Sequence, residues 1–316
     1  MGESLMQAVG LLFPGQGSQS VGMGRALYET EPNVRRRYQE ASDVLGYDVA
    51  KLCFEGPSEK LNLTEYTQPA LLVVSLAALS LFDQVQLKPI AVAGHSLGEY
   101  SAIVAAGGLG YADAVRLVQK RGQYMAEAVT SGRGLVMAVL GISTEEVERA
   151  CQDAQSHGIV SPANFNCPGQ TVIAGEKVAV EHAATLLKDR GARKVLPLPV
   201  SVPVHTSLMQ IAADRLRADI DALHWTDLRV PLINNAEAKP LRHAQELRAS
   251  LIRQLPSPVL WSQSIQRMGE MGVETFVEVG PGKVLSGLVK RILPQAKLMN
   301  VEDPQSFETA RSSLGL

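Results

Sequence analysis

Three short apolar segments, each followed by a glycine-rich turn, constrain the fold of this chain more than any other feature. The apolar segments are residues 8–13, 90–93 and 275–279, and the turns after them are residues 14–17, 94–98 and 280–282. Short, mainly apolar segments are typical of strands that are buried on both faces. Helical patterns lie between them, and strands that alternate with helices predict a parallel sheet covered by helices on both faces. The sequence therefore predicts an α/β fold.

Helical patterns account for much of the remaining chain. The most apolar pattern covers residues 68–81, and a long helix is predicted over residues 111–129. Further helices are predicted at 206–223, 242–255 and 261–271, a strand at 230–234, and one last helix after Gly282. These elements extend the same larger unit.

The middle of the chain follows a different order. We predict strands at 134–140, 159–165, 170–174 and 192–196, with helices at 143–155 and 177–190. This βαββαβ order is typical of a ferredoxin-like unit. We therefore expect a large α/β-hydrolase-like catalytic domain with a parallel sheet, formed by residues 1–130 and 200–316. A small ferredoxin-like domain of residues 131–199 is expected to be inserted into it.

Charge and cysteine content exclude several function classes. The chain has 30 Lys and Arg against 32 Asp and Glu, so it lacks the basic surplus that nucleic-acid binding needs. Its three cysteines show no metal-ligand or disulfide spacing, which predicts reduced thiols and no metal site. No Lys or Arg precedes Arg25, and the longest apolar stretch, residues 69–82, is shorter than the roughly 20 residues of a membrane span. We expect a cytoplasmic protein with no nucleic-acid or membrane partner.

Residues 94–98, Gly-His-Ser-Leu-Gly, match the nucleophile-elbow pattern G-x-S-x-G, and they lie between a predicted strand and a predicted helix. A tight turn there projects the hydroxyl of Ser96 away from the sheet. The following helix N-terminus directs free N–H groups toward an oxyanion that develops beside the serine. The pattern predicts that Ser96 is a nucleophile.

A serine hydroxyl needs a neighbouring base before it becomes a good nucleophile. The chain has six histidines: His95, His157, His182, His205, His224 and His243. Two of them fall in the predicted small domain, two lie in polar stretches, and His95 should point away from the turn. His205, at a loop-to-helix boundary, is the best candidate. No acidic residue between Ser96 and His205 stands at an obvious strand end, so either an acid is hidden or a backbone carbonyl orients the imidazole; we favour the carbonyl.

Several ordered motifs resemble one known family along essentially the whole chain. They are residues 13–19 (FPGQGSQ), 67–70 (TQPA), 94–100 (GHSLGEY), 121–122 (RG), 163–166 (ANFN), Gln254 and 277–282 (VEVGPG). On these motifs the chain is similar to the malonyl-CoA:acyl carrier protein transacylase family. The set is far more specific than the elbow alone.

The resemblance implies a role for each matching position. Ser96 would carry the acyl group, and His205 would be the general base and acid. The main-chain carbonyl of Gln254 would orient His205, so that a change of this glutamine to alanine is expected to be mild. The main-chain amides of Gln16 and Leu97 would form the oxyanion hole.

The resemblance also implies a substrate-binding set. Arg121 would bind the free carboxylate of a malonyl group, which suits the planar, paired N–H groups of arginine. Gln68, Asn164 and Val204 would complete the set. The family usually has serine immediately before the histidine, and Val204 stands there instead. A valine would crowd an α-methyl branch, which favours malonyl over methylmalonyl.

The implied reaction is a ping-pong transfer of malonyl from coenzyme A to the phosphopantetheine thiol of an acyl carrier protein, in fatty acid or polyketide synthesis. The coenzyme A thioester would be a substrate, no cofactor or metal would be needed, and a monomer is expected. Two other hypotheses about the function stay open when the residues alone are considered. The same elbow would serve a serine esterase or thioesterase, and a carrier-protein-binding module without catalysis would keep the fold.

Overall fold

A computed structural model describes residues 8–85, 87–130, 132–200 and 202–316 of the chain. The predicted domain ends at residues 1 and 131 lie outside these described residues. The same holds for residues 1–7, the first part of the stretch before Arg25 that has no Lys or Arg.

The described residues form ten strands and fourteen α-helices. The strands are β1 (Val9–Phe13), β2 (Ala91–Gly94), β3 (Gly134–Leu140), β4 (Val160–Cys167), β5 (Gln170–Glu176), β6 (Lys194–Pro197), β7 (Leu232–Ile233), β8 (Pro240–Leu241), β9 (Thr275–Val279) and β10 (Lys297–Val301). The helices are α1 (Arg25–Thr30), α2 (Pro32–Leu45), α3 (Val49–Glu55), α4 (Ser58–Leu61), α5 (Thr64–Leu79), α6 (Gly98–Ala106), α7 (Tyr111–Glu127), α8 (Thr144–Ala154), α9 (Lys177–Asp189), α10 (Gln210–Asp221), α11 (Ala244–Gln254), α12 (Trp261–Glu270), α13 (Val284–Ile292) and α14 (Pro304–Leu314).

A six-stranded sheet with the order β10-β9-β1-β2-β7-β8 forms the centre of the larger unit. Its neighbouring strands are parallel except for the β7–β8 pair, which confirms the predicted α/β class. The register pairs Phe13 of β1 with Gly94 of β2, so both strands end at the same level. The two glycine-rich turns that follow them therefore lie side by side at the carboxyl edge of the sheet, where α/β folds place their sites.

A second, four-stranded sheet has the order β4-β5-β3-β6 and is antiparallel throughout. All of its strands lie between Gly134 and Pro197, within the predicted small domain. The six elements predicted there are present, with ends shifted by a residue or two. The domain boundaries themselves stay a prediction.

Two sequence-based expectations about the larger unit are wrong. The chain does not end with one helix after Gly282, because β10 and α14 follow α13. The sequence does not predict strand β10, because it is an edge strand in which only Val301 is buried and it shows no apolar run. The strand predicted at 230–234 is reduced to two residues, since Pro231 has no N–H to donate to a ladder.

Helix α5 lies in the core of the larger unit. With the short turn that follows, Thr64–Asp83 is the one helix of the described residues that is long and apolar enough to cross a membrane. However, 78% of its most apolar window is buried inside the protein, and α5 packs against α7 and α2. This burial is what a central core helix requires.

Candidate active site

Ser96 lies in a sharp turn between β2 and α6. Its φ is 51°, a left-handed conformation that non-glycine residues rarely adopt and that is often found at functional sites. The turn is possible only because glycines flank it: a Cβ on Gly94 would lie 1.9 Å from the carbonyl of Gly98. The elbow motif thus has the backbone that its sequence predicts.

The turn after β1 packs directly against this elbow. The N–H of His95 donates to the carbonyl of Phe13 at 3.0 Å. A Cβ on Gly15 would lie 2.2 Å from the carbonyl oxygen of His95, and one on Gly98 would lie 2.0 Å from that of Phe13. Glycine is therefore needed on both sides of the contact, because any side chain would separate the two turns.

Each of these turns contributes a residue to the wall of one cavity. The cavity has a volume of about 80 Å³ and is lined by Gln16, Leu97 and Ser96, among others. Within the described part of the chain, neither the N–H of Gln16 nor that of Leu97 donates a hydrogen bond. Two unpaired N–H groups beside a serine hydroxyl suit an oxyanion.

His205 contacts the serine directly. Its Nε2 lies 2.7 Å from Oγ of Ser96, and its Nδ1 lies 3.0 Å from the carbonyl oxygen of Gln254 and 3.1 Å from that of Ser257. Since carbonyls only accept, Nδ1 carries the proton and Nε2 is free to accept from Ser96. Burial, and then the charge of Arg121, lowers the pKa of His205 to about 3, so the imidazole is neutral at physiological pH. No carboxylate accepts from this histidine among the described residues.

Arg121 is buried beside the same serine, with 1% of its surface exposed. Its Nη1 donates to Oε1 of Gln68 at 2.5 Å, and its Nη2 donates to Oε1 of Gln254 at 2.9 Å and to Oγ of Ser96 at 3.2 Å. The guanidinium also lies 5.4 Å from the ring centroid of Tyr100. Burial lowers the pKa of Arg121 from its usual high value. A cation held next to a nucleophile can bind a substrate anion there.

The side chain of Gln254 is as engaged as its carbonyl. Its Nε2 donates to the carbonyl of Ser96 at 2.9 Å and to Oε2 of Glu99 at 2.8 Å, while its Oε1 accepts from Arg121. This carboxamide joins the elbow, an acid and the arginine, contacts that the sequence did not predict. The expectation that only the main chain of Gln254 is needed stays a prediction.

Two residues of this network, Glu99 and Asn235, were not predicted. Oδ1 of Asn235 accepts from the N–H of Ser96 at 2.7 Å, and its Nδ2 donates to the carbonyl of Gly94 at 2.7 Å. Its own N–H donates to Oε2 of Glu99 at 3.0 Å. Both positions carried a signal, because Glu99 is the one charged residue in helix α6, and Asn235 follows the carboxyl end of β7.

The rest of the cavity wall is mainly apolar and partly supplied by the four-stranded sheet. Asn164 and Val204 line it, as do Met125, Val136, Leu198 and Val200. Gln68 and Gln254 lie behind Arg121 and contact it. The structure thus brings all nine predicted site residues together, while their roles stay predictions.

The described residues contain no group of three or more His, Cys, Asp or Glu side chains that could hold a metal ion. Their three cysteines are buried and free. The expectation of no cofactor stays a prediction.

The chain is similar to known proteins over nearly its whole length. Residues 11–306 match the acyl transferase domain family. The malonyl CoA-acyl carrier protein transacylase of Escherichia coli K12 is 46% identical over 306 residues, which cover 96% of this chain and 99% of that protein. The crystal structure of an acyl carrier protein S-malonyltransferase from Vibrio cholerae has a TM-score of 0.94 at 46% identity, covering 96% of this chain and 100% of that one. A malonyl-transacylase solved in complex with its holo type II polyketide synthase acyl-carrier protein has a TM-score of 0.95 at 44% identity, covering 97% and 100%.

Proposed function

The chain belongs to the acyl transferase domain family and, within it, to the malonyl-CoA:acyl carrier protein transacylases, and from this premise we propose that it transfers malonyl from coenzyme A to the phosphopantetheine thiol of an acyl carrier protein. One observation carries the proposal: Oγ of Ser96 lies within hydrogen-bond distance of both the neutral base His205 and the cation Arg121. The base serves acyl transfer, and the cation serves an acyl group that is itself an anion.

In the first half-reaction, Oγ of Ser96 attacks the thioester carbonyl carbon and its proton passes to Nε2 of His205. The main-chain amides of Gln16 and Leu97 stabilise the oxyanion of the tetrahedral intermediate. The carbon–sulfur bond then breaks, the coenzyme A thiolate takes the proton from His205, and a malonyl ester stays on Ser96.

The second half-reaction reverses these steps with another thiol. His205 removes the proton of the carrier's phosphopantetheine thiol, whose sulfur attacks the ester, and the proton returns to Ser96 as its oxygen leaves. The carbonyls of Gln254 and Ser257 hold the Nδ1 proton throughout, so the imidazole alternates between base and acid without an acidic partner.

Arg121 selects the acyl group. A malonyl carboxylate that reaches the guanidinium replaces part of its present hydrogen bonding with charge-assisted bonds, whereas an acetyl group offers none. Gln68 and Asn164 help to place the acyl chain, and Val204 narrows the space beside its α-carbon.

The finer description of the fold belongs to the same proposal. The order β4-β5-β3-β6 with its two helices supports a small ferredoxin-like domain over residues 131–199. The strand–elbow–helix at Ser96 supports a large α/β-hydrolase-like domain over residues 1–130 and 200–316. We also propose that the protein acts as a cytoplasmic monomer without a cofactor, since every catalytic group in this scheme is its own.

The test is to mix the protein with malonyl-CoA, read its intact mass within seconds, and then add a phosphopantetheinylated carrier protein. A malonyl adduct that moves onto the carrier supports the proposal. An adduct that decays to free malonate with or without carrier would identify a hydrolase, and no adduct at all would indicate a module without catalysis.

A further inference from the structure

Arg121 is joined to a buried acid that the transfer mechanism does not use. Oε2 of Glu99 accepts from the carboxamide of Gln254, whose Oε1 accepts in turn from Nη2 of Arg121. Gln254 can bridge the two ions in only one orientation, because its amide donates at the acid and its carbonyl accepts at the cation. The arginine is therefore held by a chain of hydrogen bonds that ends in a carboxyl group.

Glu99 has unusual surroundings for a carboxylate. None of its surface is exposed, and its Oε1 has no hydrogen-bond partner among the described residues. Burial raises the pKa of Glu99 to about 7, although the amides of Gln254 and Asn235 and the charge of Arg121 oppose that rise. The carboxyl group therefore changes charge within the physiological range.

Few other ionisable groups face this pair. Tyr100 follows Glu99 on α6, and burial raises its pKa to about 12, so it is neutral. His205, buried in the loop before α10, and His95, partly buried in the elbow, have lowered pKa values and are neutral as well. Arg121, from α7, is the charged side chain that acts on Glu99 within the described part of the chain.

We infer that Glu99 is a specificity-determining positioning residue, whose carboxylate is the resident counter-charge of Arg121. When a malonyl carboxylate binds Arg121, it takes over this role and leaves Glu99 protonated. The inference rests on the proposed function, because it requires malonyl to reach Arg121. An acetyl group brings no charge and leaves Glu99 as it was. Binding of malonyl, unlike that of acetyl, is then coupled to the uptake of up to one proton.

The sign of the coupling follows from linkage. A process that takes up a proton is favoured by lower pH, here in the window around pH 7 where Glu99 changes charge. At pH 8 Glu99 is ionised and opposes the incoming carboxylate through the buried site. At pH 6 it is mostly neutral, and Arg121 is free to pair with malonyl. One proton limits the change to about tenfold per pH unit.

The experiment is an equilibrium competition. The protein is incubated with equal malonyl-CoA and acetyl-CoA plus free coenzyme A at pH 6, 7 and 8, and intact mass gives the ratio of malonyl to acetyl adduct. Ionisation of the coenzyme A thiol affects both adducts equally and cancels in this ratio. We expect the ratio to rise by about threefold to tenfold from pH 8 to pH 6.

Glu99→Gln keeps an oxygen that can accept from Asn235 and Gln254 but removes the charge, so its ratio is expected to be independent of pH. Glu237→Gln is the matched control, because Glu237 is an exposed acid that pairs with Arg253 and lies two residues after Asn235 in the chain. The malonyl-to-acetyl ratio of this control should change with pH as that of the wild type does. A merely structural role of Glu99 would lower stability or turnover without flattening the ratio.

The outcomes separate this inference from the proposed function. A wild-type adduct whose malonyl-to-acetyl ratio is flat or falls toward pH 6 would overturn the inference alone, and this result needs no variant. A slope that survives in Glu99→Gln would do the same. The absence of any malonyl adduct on the wild-type protein would overturn the proposed function, and the inference with it.

Discussion

The two sheets of this molecule handle polar groups in opposite ways. At the carboxyl edge of the six-stranded sheet, Glu99, Arg121, His205 and Gln254 are all at most 1% exposed and joined by hydrogen bonds. On the helices that pack against the four-stranded sheet, charged side chains pair near the surface, as Arg190 at the end of α9 does with Asp153 and Glu146 of α8. Its share of the cavity wall is mostly apolar, with Asn164 as its polar contribution.

This contrast indicates that the two sheets have different roles at the site. A buried polar group that loses its partner costs about 1–3 kcal/mol, whereas an exposed ion pair contributes about 0–1 kcal/mol. The buried network can therefore hold the reacting groups in one geometry. The smaller sheet covers the site, and its exposed ion pairs can be changed at little cost in stability. The two are joined by main-chain bonds between Val259 and β4 and by the contact of Asn166 Oδ1 with His95 Nε2 at 2.9 Å.

The largest effect is expected from removing the hydroxyl of Ser96, at the edge of the six-stranded sheet. Ser96→Ala should abolish the malonyl adduct and lower transfer by about 10³-fold or more, because no other group can accept the acyl chain. Ser161→Ala, in β4, is the control and should leave both unchanged. The measurements are intact mass and carrier malonylation; an adduct on Ser96→Ala would mean that the nucleophile lies elsewhere.

The next largest effect concerns the buried cation. Arg121→Ala should lower kcat/KM for malonyl-CoA by about 10²-fold, the value of one or two charge-assisted hydrogen bonds, with little loss for acetyl-CoA. Arg121→Lys should fall between, because a lysine keeps the charge but not the paired geometry. If the malonyl-to-acetyl preference is the same in all three proteins, the carboxylate binds somewhere else.

Gln254→Ala tests whether the network or only its backbone matters. The change removes a partner from Arg121, from the carbonyl of Ser96 and from Glu99, so we expect a loss of about 2–4 kcal/mol in unfolding free energy and about tenfold in kcat/KM. Gln152→Ala, on the exposed face of α8, is the control. Wild-type values of Tm and kcat/KM in Gln254→Ala would show that the main-chain carbonyl is sufficient.

Features that depend on residues close together in the chain could be predicted from the sequence, and features that depend on distant residues could not. The elbow at Ser96 and the six elements of the small sheet depend on local patterns, and both were predicted with nearly correct ends. The comparison of the six histidines pointed to His205, and the family resemblance pointed to Arg121. The acid Glu99 was missed because its partners Asn235 and Gln254 lie 136 and 155 residues away in the chain. No local pattern encodes such a pairing.

The smallest expected effect lies at the junction of the two sheets. Asn166→Ala removes the partner of the partly buried His95 Nε2, so the free energy of unfolding should fall by about 1–2 kcal/mol in urea titrations. Activity should change by less than about threefold, because Ser96 keeps its own bonds to Asn235 and His205. A loss as large as that of Gln254→Ala would mean that the small sheet holds the elbow in place as well as covering it, and the division of work between the sheets would then fail at Asn166.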